Sequence, residues 1–214
     1  MEVPTSSPNE PFEKLKMDAK SFIQFLVQQL QTPSAHFHST NVSPQNSFLS
    51  IILFILLTSA TFYAAFPTSL ITLSPSFFQV VLYLSIFFLL VVAVNLIAVI
   101  STVKLFSIQE SVPELLQKLG GFYAIPIALS AVSLLLTLVH SFTLSAIILA
   151  IAIFLAFILI PLFTITKLLL KNPAATDSFY GILFYIAVTT VASILLAAFV
   201  ADTAIGEILR LLNF

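Results

Sequence analysis

Five uninterrupted apolar stretches dominate this chain, and polar segments separate them. None of the five contains Asp, Glu, Lys or Arg, and each is long enough to cross ~30 Å of hydrocarbon as a helix. The pattern therefore predicts an all-α fold, a polytopic membrane helical bundle with five transmembrane helices. The predicted spans are 47–66, 77–103, 122–139, 143–166 and 179–201.

Segments outside the spans have a different periodicity. Residues 1–46 form a polar N-terminal region that contains an amphipathic helix at about 12–31, because its apolar side chains recur at three- and four-residue steps. Those side chains are Phe12, Leu15, Ala19, Phe22, Ile23, Leu26 and Leu30. Such a helix either lies among the lipid headgroups or packs on the protein's own surface, and the pattern leaves both open. A loop at 104–121 and a tail at 202–214 are also amphipathic.

The basic residues predict an orientation. Seven of the eight lie before the first span, between spans two and three, or between spans four and five. Cytosolic loops carry an excess of Lys and Arg, so we expect a cytosolic N-terminus, a membrane domain over 47–201 and an extracellular C-terminus in a plasma membrane. Only Arg210 falls on the other side.

Composition excludes several classes of protein. Charged residues make up 8% of the chain, far below the roughly 25% of an average soluble domain, so lipid is the expected solvent. The formal net charge of −1 offers no basic face for nucleic acid. The chain has no Cys, and therefore no disulfide or zinc ribbon is expected.

Polar and small residues inside the spans are candidates for helix contacts. Asn95 lies deep in span two, where an interhelical hydrogen bond is favoured over a substrate contact. Span five carries a stripe of small residues at four-residue steps, which favours close packing within the molecule over a dimer face. The stripe consists of Thr189, Ser193, Ala197 and Ala201. Pro126 and Pro161 each remove a backbone donor and are expected to kink a helix.

No constellation of residues indicates catalysis. His36 and His38 form a His-x-His pair in a loop, and His140 lies in a short turn; none has the partners that a metal site or a general base requires. Phosphate-binding and intramembrane protease motifs are missing as well. We therefore expect no enzyme activity, no metal and no cofactor.

Residues Leu115 to Pro126, entering the third span, read LLQKLGGFYAIP. This segment resembles the amphipathic helix and the Gly/Tyr-containing start of a span in Yip-type (Ypt/Rab-interacting) membrane proteins and their bacterial relatives, which also have five spans. The resemblance implies that Gly121 and Tyr123 occupy the family's Gly and Tyr positions and serve packing. The Asp-Leu-Tyr-Gly-Pro motif of eukaryotic members is absent, and with it the support for Rab binding.

Two functions are compatible with these features. The first is a non-catalytic, Yip-like scaffold or interaction protein in a bacterial plasma membrane. Its partners would be the lipid bilayer and another membrane protein or a second copy of the chain. The alternative is a small permease or a lipid-handling protein, which Asn95 and the prolines within the spans would serve.

Overall fold

A computed structural model of the chain describes residues 10–33, 44–65, 76–171 and 177–201. These residues form an all-α bundle, and the side chains of 10–18 are outside the description. The helices are α1 Glu10–Gln31, α2 Pro44–Ala64, α3 Phe77–Leu105, α4 Val112–Gly121, α5 Ala124–Leu138, α6 Phe142–Lys171 and α7 Ser178–Ala201.

Four of these helices, α2, α3, α6 and α7, are long and apolar enough to cross a membrane. Helix α5 has 15 residues, so its length of about 22 Å falls short of a ~30 Å hydrocarbon core. Together α4 and α5 pass the same test as one span, with a bend of 45° between them. The described residues thus hold four spans, or five if the bent pair is counted as one. The chain is a multi-pass membrane protein.

Local interactions stabilise the segment 106–111 that joins α3 to α4. Lys118 forms an ion pair with Glu110 at 2.5 Å, and both side chains are largely buried. Ser111 and Glu114 make a capping box: the Ser111 hydroxyl accepts from the Glu114 N–H, and the Glu114 carboxylate accepts from the Ser111 N–H. The capping box fixes the start of α4 after Ser111. Leu115, in the first turns of this helix, then lies buried in the bundle.

Buried hydroxyl groups connect neighbouring helices. Ser133 and Thr137 on α5 both contact Ser145 on α6, with oxygen–oxygen distances of 2.8 and 2.6 Å. Thr58 on α2 lies 3.3 Å from Ser130 on α5. Because lipid provides no hydrophobic force that draws helices together, such hydrogen bonds and close packing hold the spans in place. The tight turn at 139–141 completes the α5–α6 hairpin.

The centre of the bundle is aromatic. Phe54 on α2 meets Tyr123 edge-on at 5.4 Å and Phe157 on α6 at 5.8 Å. Phe88 on α3 stacks on Phe157 at 5.9 Å. Edge-to-face and stacked pairs at these distances are favourable beyond the area that they bury. Three long helices and the α4–α5 junction therefore meet at one cluster.

Helix α1 packs on the bundle through a face that only partly coincides with the predicted one, since Leu26 of the predicted face packs against the core. Its buried side chains are Phe25 and Gln29, whereas Ile23 and Leu30 of the predicted apolar face are exposed. Residues 19–33 thus combine both expected arrangements: one face contacts α2 and α5, and the exposed apolar side chains remain available to lipid.

Gly120 is the point of closest approach between α2 and α4. A Cβ atom there would lie 2.5 Å from the carbonyl oxygen of Ser47, a backbone atom that cannot move aside without moving α2. The Ser47 hydroxyl also donates to the carbonyl of Gln117 at 3.1 Å. The two helices therefore contact each other backbone to backbone, the packing that small residues allow in membranes.

Gly120→Ala should destabilise the protein by about 1–3 kcal/mol, the usual cost of overpacking a filled site. Gly121→Ala is the matched control, because a Cβ at Gly121 would meet the Gln29 amide at an ordinary contact distance of 3.6 Å. Thermal unfolding of both variants in the same detergent measures the difference. Equal melting temperatures for the two variants would contradict the close approach.

Candidate functional site

The middle of α6 departs from α-helical geometry just before Pro161. Residues Leu155–Leu159 form a π-helical segment, in which the N–H of Ile160 donates to the carbonyl of Leu155, five residues back. The next carbonyl in this register, that of Ala156, would pair with residue 161, which is Pro and has no N–H. The irregularity expected at Pro161 therefore takes the form of a π-bulge with an orphaned carbonyl.

Tyr123 satisfies this carbonyl. Its hydroxyl donates to the Ala156 oxygen at 3.3 Å, from the junction between α4 and α5. An unpaired carbonyl inside the membrane would cost several kcal/mol, so a side-chain donor from a neighbouring helix replaces the missing backbone donor. Pro126 lies in the first turn of α5, where no N–H is required, and the 45° bend precedes it.

An apolar crevice of about 280 Å³ lies beside the π-bulge. Its walls come from the end of α1, from the α4–α5 junction and from α6, and they present no polar surface. The lining residues are Pro33, Phe122, Ile125, Pro126, Leu155, Leu159, Ile160 and Phe163. Phe122 and Phe163 meet edge-on at 5.3 Å, and the Lys167 ammonium lies 5.6 Å from the Phe163 ring centre.

Gln29 lies next to the residues that wall this crevice. It precedes Pro33 by one helical turn and contacts Gly121, whose neighbour is Phe122. The Gln29 side chain is 1% exposed, and neither atom of its amide has a hydrogen-bond partner among the described residues. Gln29 was not predicted from the sequence, where the four-residue steps Phe25, Gln29 and Pro33 were the available signal.

Asn95 connects α3 to α7. Its side-chain oxygen accepts a hydrogen bond from the Tyr185 hydroxyl at 3.1 Å, and its amide nitrogen donates to the Val91 carbonyl at 3.0 Å. Both polar atoms of the amide are thus used within the bundle. The structure places Asn95 in a helix contact and gives it no position in the crevice lining.

The small-residue stripe of span five does not form the expected intramolecular contact. Ser193, Ala197 and Ala201 are exposed, and Thr189 is only partly buried. Helix α7 instead packs on α3 and α6 through Gly181 and Tyr185. A Cβ at Gly181 would lie 2.7 Å from the Leu169 side chain on α6. Gly181 thus lets α6 approach closely, and Tyr185 adds the hydrogen bond to Asn95.

Of the three histidines considered in the sequence, the structure describes His140. His140 is exposed in the turn after α5, with φ at 61° and its ring edge-on to Phe142 at 5.7 Å. His36, His38 and residues 202–214 lie outside the described residues, as do residues 66–75 and 172–176. Among the residues that the structure describes, no group of three His, Cys, Asp or Glu could hold a metal ion.

Comparisons of this chain with protein-family models, with curated proteins and with solved structures found no match.

Tyr123→Phe should lower stability by about 0.6–1.7 kcal/mol, the range of interhelical hydrogen bonds in membrane proteins. It should also speed hydrogen exchange of the amides around residues 155–165, because the π-bulge loses its donor. Tyr180→Phe is the control, since Tyr180 is exposed at the start of α7. If the two variants melt and exchange alike, Tyr123 does not stabilise the bulge.

Gln29→Met should raise stability by up to about 1–3 kcal/mol, because it removes an unpaired buried amide and keeps a straight side chain. Gln28→Met, at the exposed neighbour, should change little. Melting temperatures in detergent measure both. A fall in stability specific to Gln29→Met would mean that the amide makes a hydrogen bond that stabilises the fold.

Proposed function

We propose that this chain is a non-catalytic integral membrane protein of Yip-like layout, whose role is to bind another transmembrane helix through α7. The partner helix belongs to another membrane protein or to a second copy of the chain. The observation that carries the proposal is the exposure of Ser193 and Ala197, at a four-residue step, on a helix that packs against α3 and α6 but leaves these two residues uncovered.

The chemistry of helix association in lipid supports this role for α7. Leu and Ile side chains gain little by leaving lipid for another apolar surface, whereas small residues allow two backbones to approach closely. The large apolar side chain of Ile194 adjoins the stripe and is also exposed. A partner helix would therefore find a groove floored by Ser193 and Ala197.

The use of the buried polar groups supports a non-catalytic role. Apart from Gln29 and Thr189, every buried side-chain polar atom in the described ranges has a hydrogen-bond partner within the bundle. Asn95, the amide side chain deep in span two, has its oxygen and its nitrogen hydrogen-bonded to Tyr185 and Val91. Donors and acceptors that already hold helices together are not available to bind a reacting group.

The position of the lysines supports a cytosolic placement of one end of the bundle. The end of α3 is joined to α4 by the short segment 106–111 and α3 contacts α4, and Phe122 at the end of α4 contacts Phe163 in the last part of α6. Lys104, Lys118, Lys167 and Lys171 all belong to these segments. By the positive-inside rule this end faces the cytosol of a bacterial plasma membrane.

A second candidate function is lipid handling, which the apolar crevice specifically favours. A permease would need polar groups along a path across the membrane. The crevice offers none, so of the two alternatives expected from the sequence only the lipid-handling one gains support.

A photoreactive side chain at Ala197 should cross-link to protein in native membranes and give a discrete adduct. The same probe at Leu195 should give mainly lipid adducts, because Leu195 is exposed on the same helix but lies off the stripe. Mass spectrometry identifies the adducts. Lipid adducts alone at both positions would refute the proposed helix-binding face.

A further inference from the structure

We infer that the crevice beside the π-bulge binds one acyl chain of an anionic phospholipid, whose phosphate is held by Lys167 and Lys171. This inference rests on the lipid-handling candidate and names its ligand. It does not depend on the helix-binding role of α7, which lies on a different surface.

The lining of the crevice selects an apolar occupant. All eight lining residues are Phe, Leu, Ile or Pro, and the walls present no polar surface. Apolar cavities of this kind do not hold water well, and in a bilayer the available apolar molecules are lipid tails. The volume of about 280 Å³ is at the lower end for ligand pockets, which suits a single chain rather than a whole lipid.

The same lining disfavours a peptide. A non-helical protein segment would bring backbone N–H and C=O groups, each of which needs a partner when it is removed from water. The crevice walls supply none. An acyl chain has no such groups along its length, so it fills the crevice without leaving a polar atom unpaired.

The face of α6 that leads out of the crevice is positively charged. Phe163 lines the crevice, and Lys167 and Lys171 follow it at four-residue steps, which places all three on one helical face. Both lysines are exposed, and neither has a carboxylate partner among the residues that the structure describes. A phosphate above the crevice would find two ammonium groups at the end of the apolar path.

Photolabelling of the full-length protein in phosphatidylcholine vesicles tests the inference. The probe is a phosphatidylglycerol with a diazirine in one acyl chain, and phosphatidylcholine with the same chain is the comparison. Phosphatidylglycerol should label peptides that contain residues 122–126 and 155–163 more strongly than phosphatidylcholine does. Mass spectrometry of the digested protein locates the labels.

Leu159→Trp should fill the crevice and reduce this labelling to the level of the other lipid-facing surfaces. Ile158→Trp is the matched control, since Ile158 adjoins Leu159 and is similarly exposed (53% against 45%) but does not line the crevice. Equal labelling of these two variants would overturn the inference, because the labels would then come from lipid around the whole bundle. A cross-link from a probe at residue 159 to another part of the chain would overturn it too.

The double variant Lys167→Gln and Lys171→Gln should reduce the preference for phosphatidylglycerol by about thirtyfold, since each lysine near a membrane surface attracts anionic lipid by ~1 kcal/mol. Lys104→Gln, an exposed lysine at the end of α3, should leave the preference unchanged. Equal labelling by the two lipids in the parent protein would overturn the anionic assignment. Cross-linking at Ala197 reports separately on the proposed helix-binding face.

Discussion

The missing N–H of Pro161 is the constraint on which the centre of this molecule depends. It falls within a helix of 30 residues that crosses the membrane, where no water can replace the lost donor. Helix α6 forms a π-bulge before the proline, and the Ala156 carbonyl is left without a backbone donor. The Tyr123 hydroxyl, 3.3 Å away, donates to this carbonyl instead. That bond fixes the α4–α5 junction against α6, and Tyr123 packs on Phe54 of α2 at the same point. One proline thus determines where three other elements meet.

Much of the fold follows from the sequence because lipid imposes a simple rule on it. Charged side chains are costly at the centre of a bilayer, so uninterrupted apolar stretches mark the spans, and the helices found lie within a few residues of those predicted. The third span is the exception. Its apolar stretch runs through Phe122 and Tyr123, but the backbone turns there and leaves a 15-residue α5. Hydropathy carries no information about such a bend.

The contacts between spans were harder to predict because in lipid every face of a helix is apolar. The stripe at Ser193 and Ala197 has the spacing of a packing face, yet it is exposed, since Tyr185 and Gly181 supply the contacts of α7. Gln29 is the opposite case. This polar residue lies outside the predicted apolar face of α1, yet its side chain is buried, whereas Leu30 of that face is exposed. Periodicity orders the faces of a helix by polarity, but the choice of neighbour depends on shape and on single hydrogen bonds.

The bulge and the crevice have the same origin. Leu155, Leu159 and Ile160 are crevice walls, and they belong to the π-helical segment or adjoin it. A π-bulge inserts one extra residue into the helical repeat. In a regular α-helix these side chains would therefore point in other directions and pack differently against Phe122. Replacing Pro161 by Ala would restore the backbone donor, remove the need for Tyr123 and allow α6 to become regular. The fold should tolerate that change or gain from it, whereas the crevice should lose its shape. A stabilised Pro161→Ala protein that no longer takes an acyl chain would show that the bulge serves binding rather than folding.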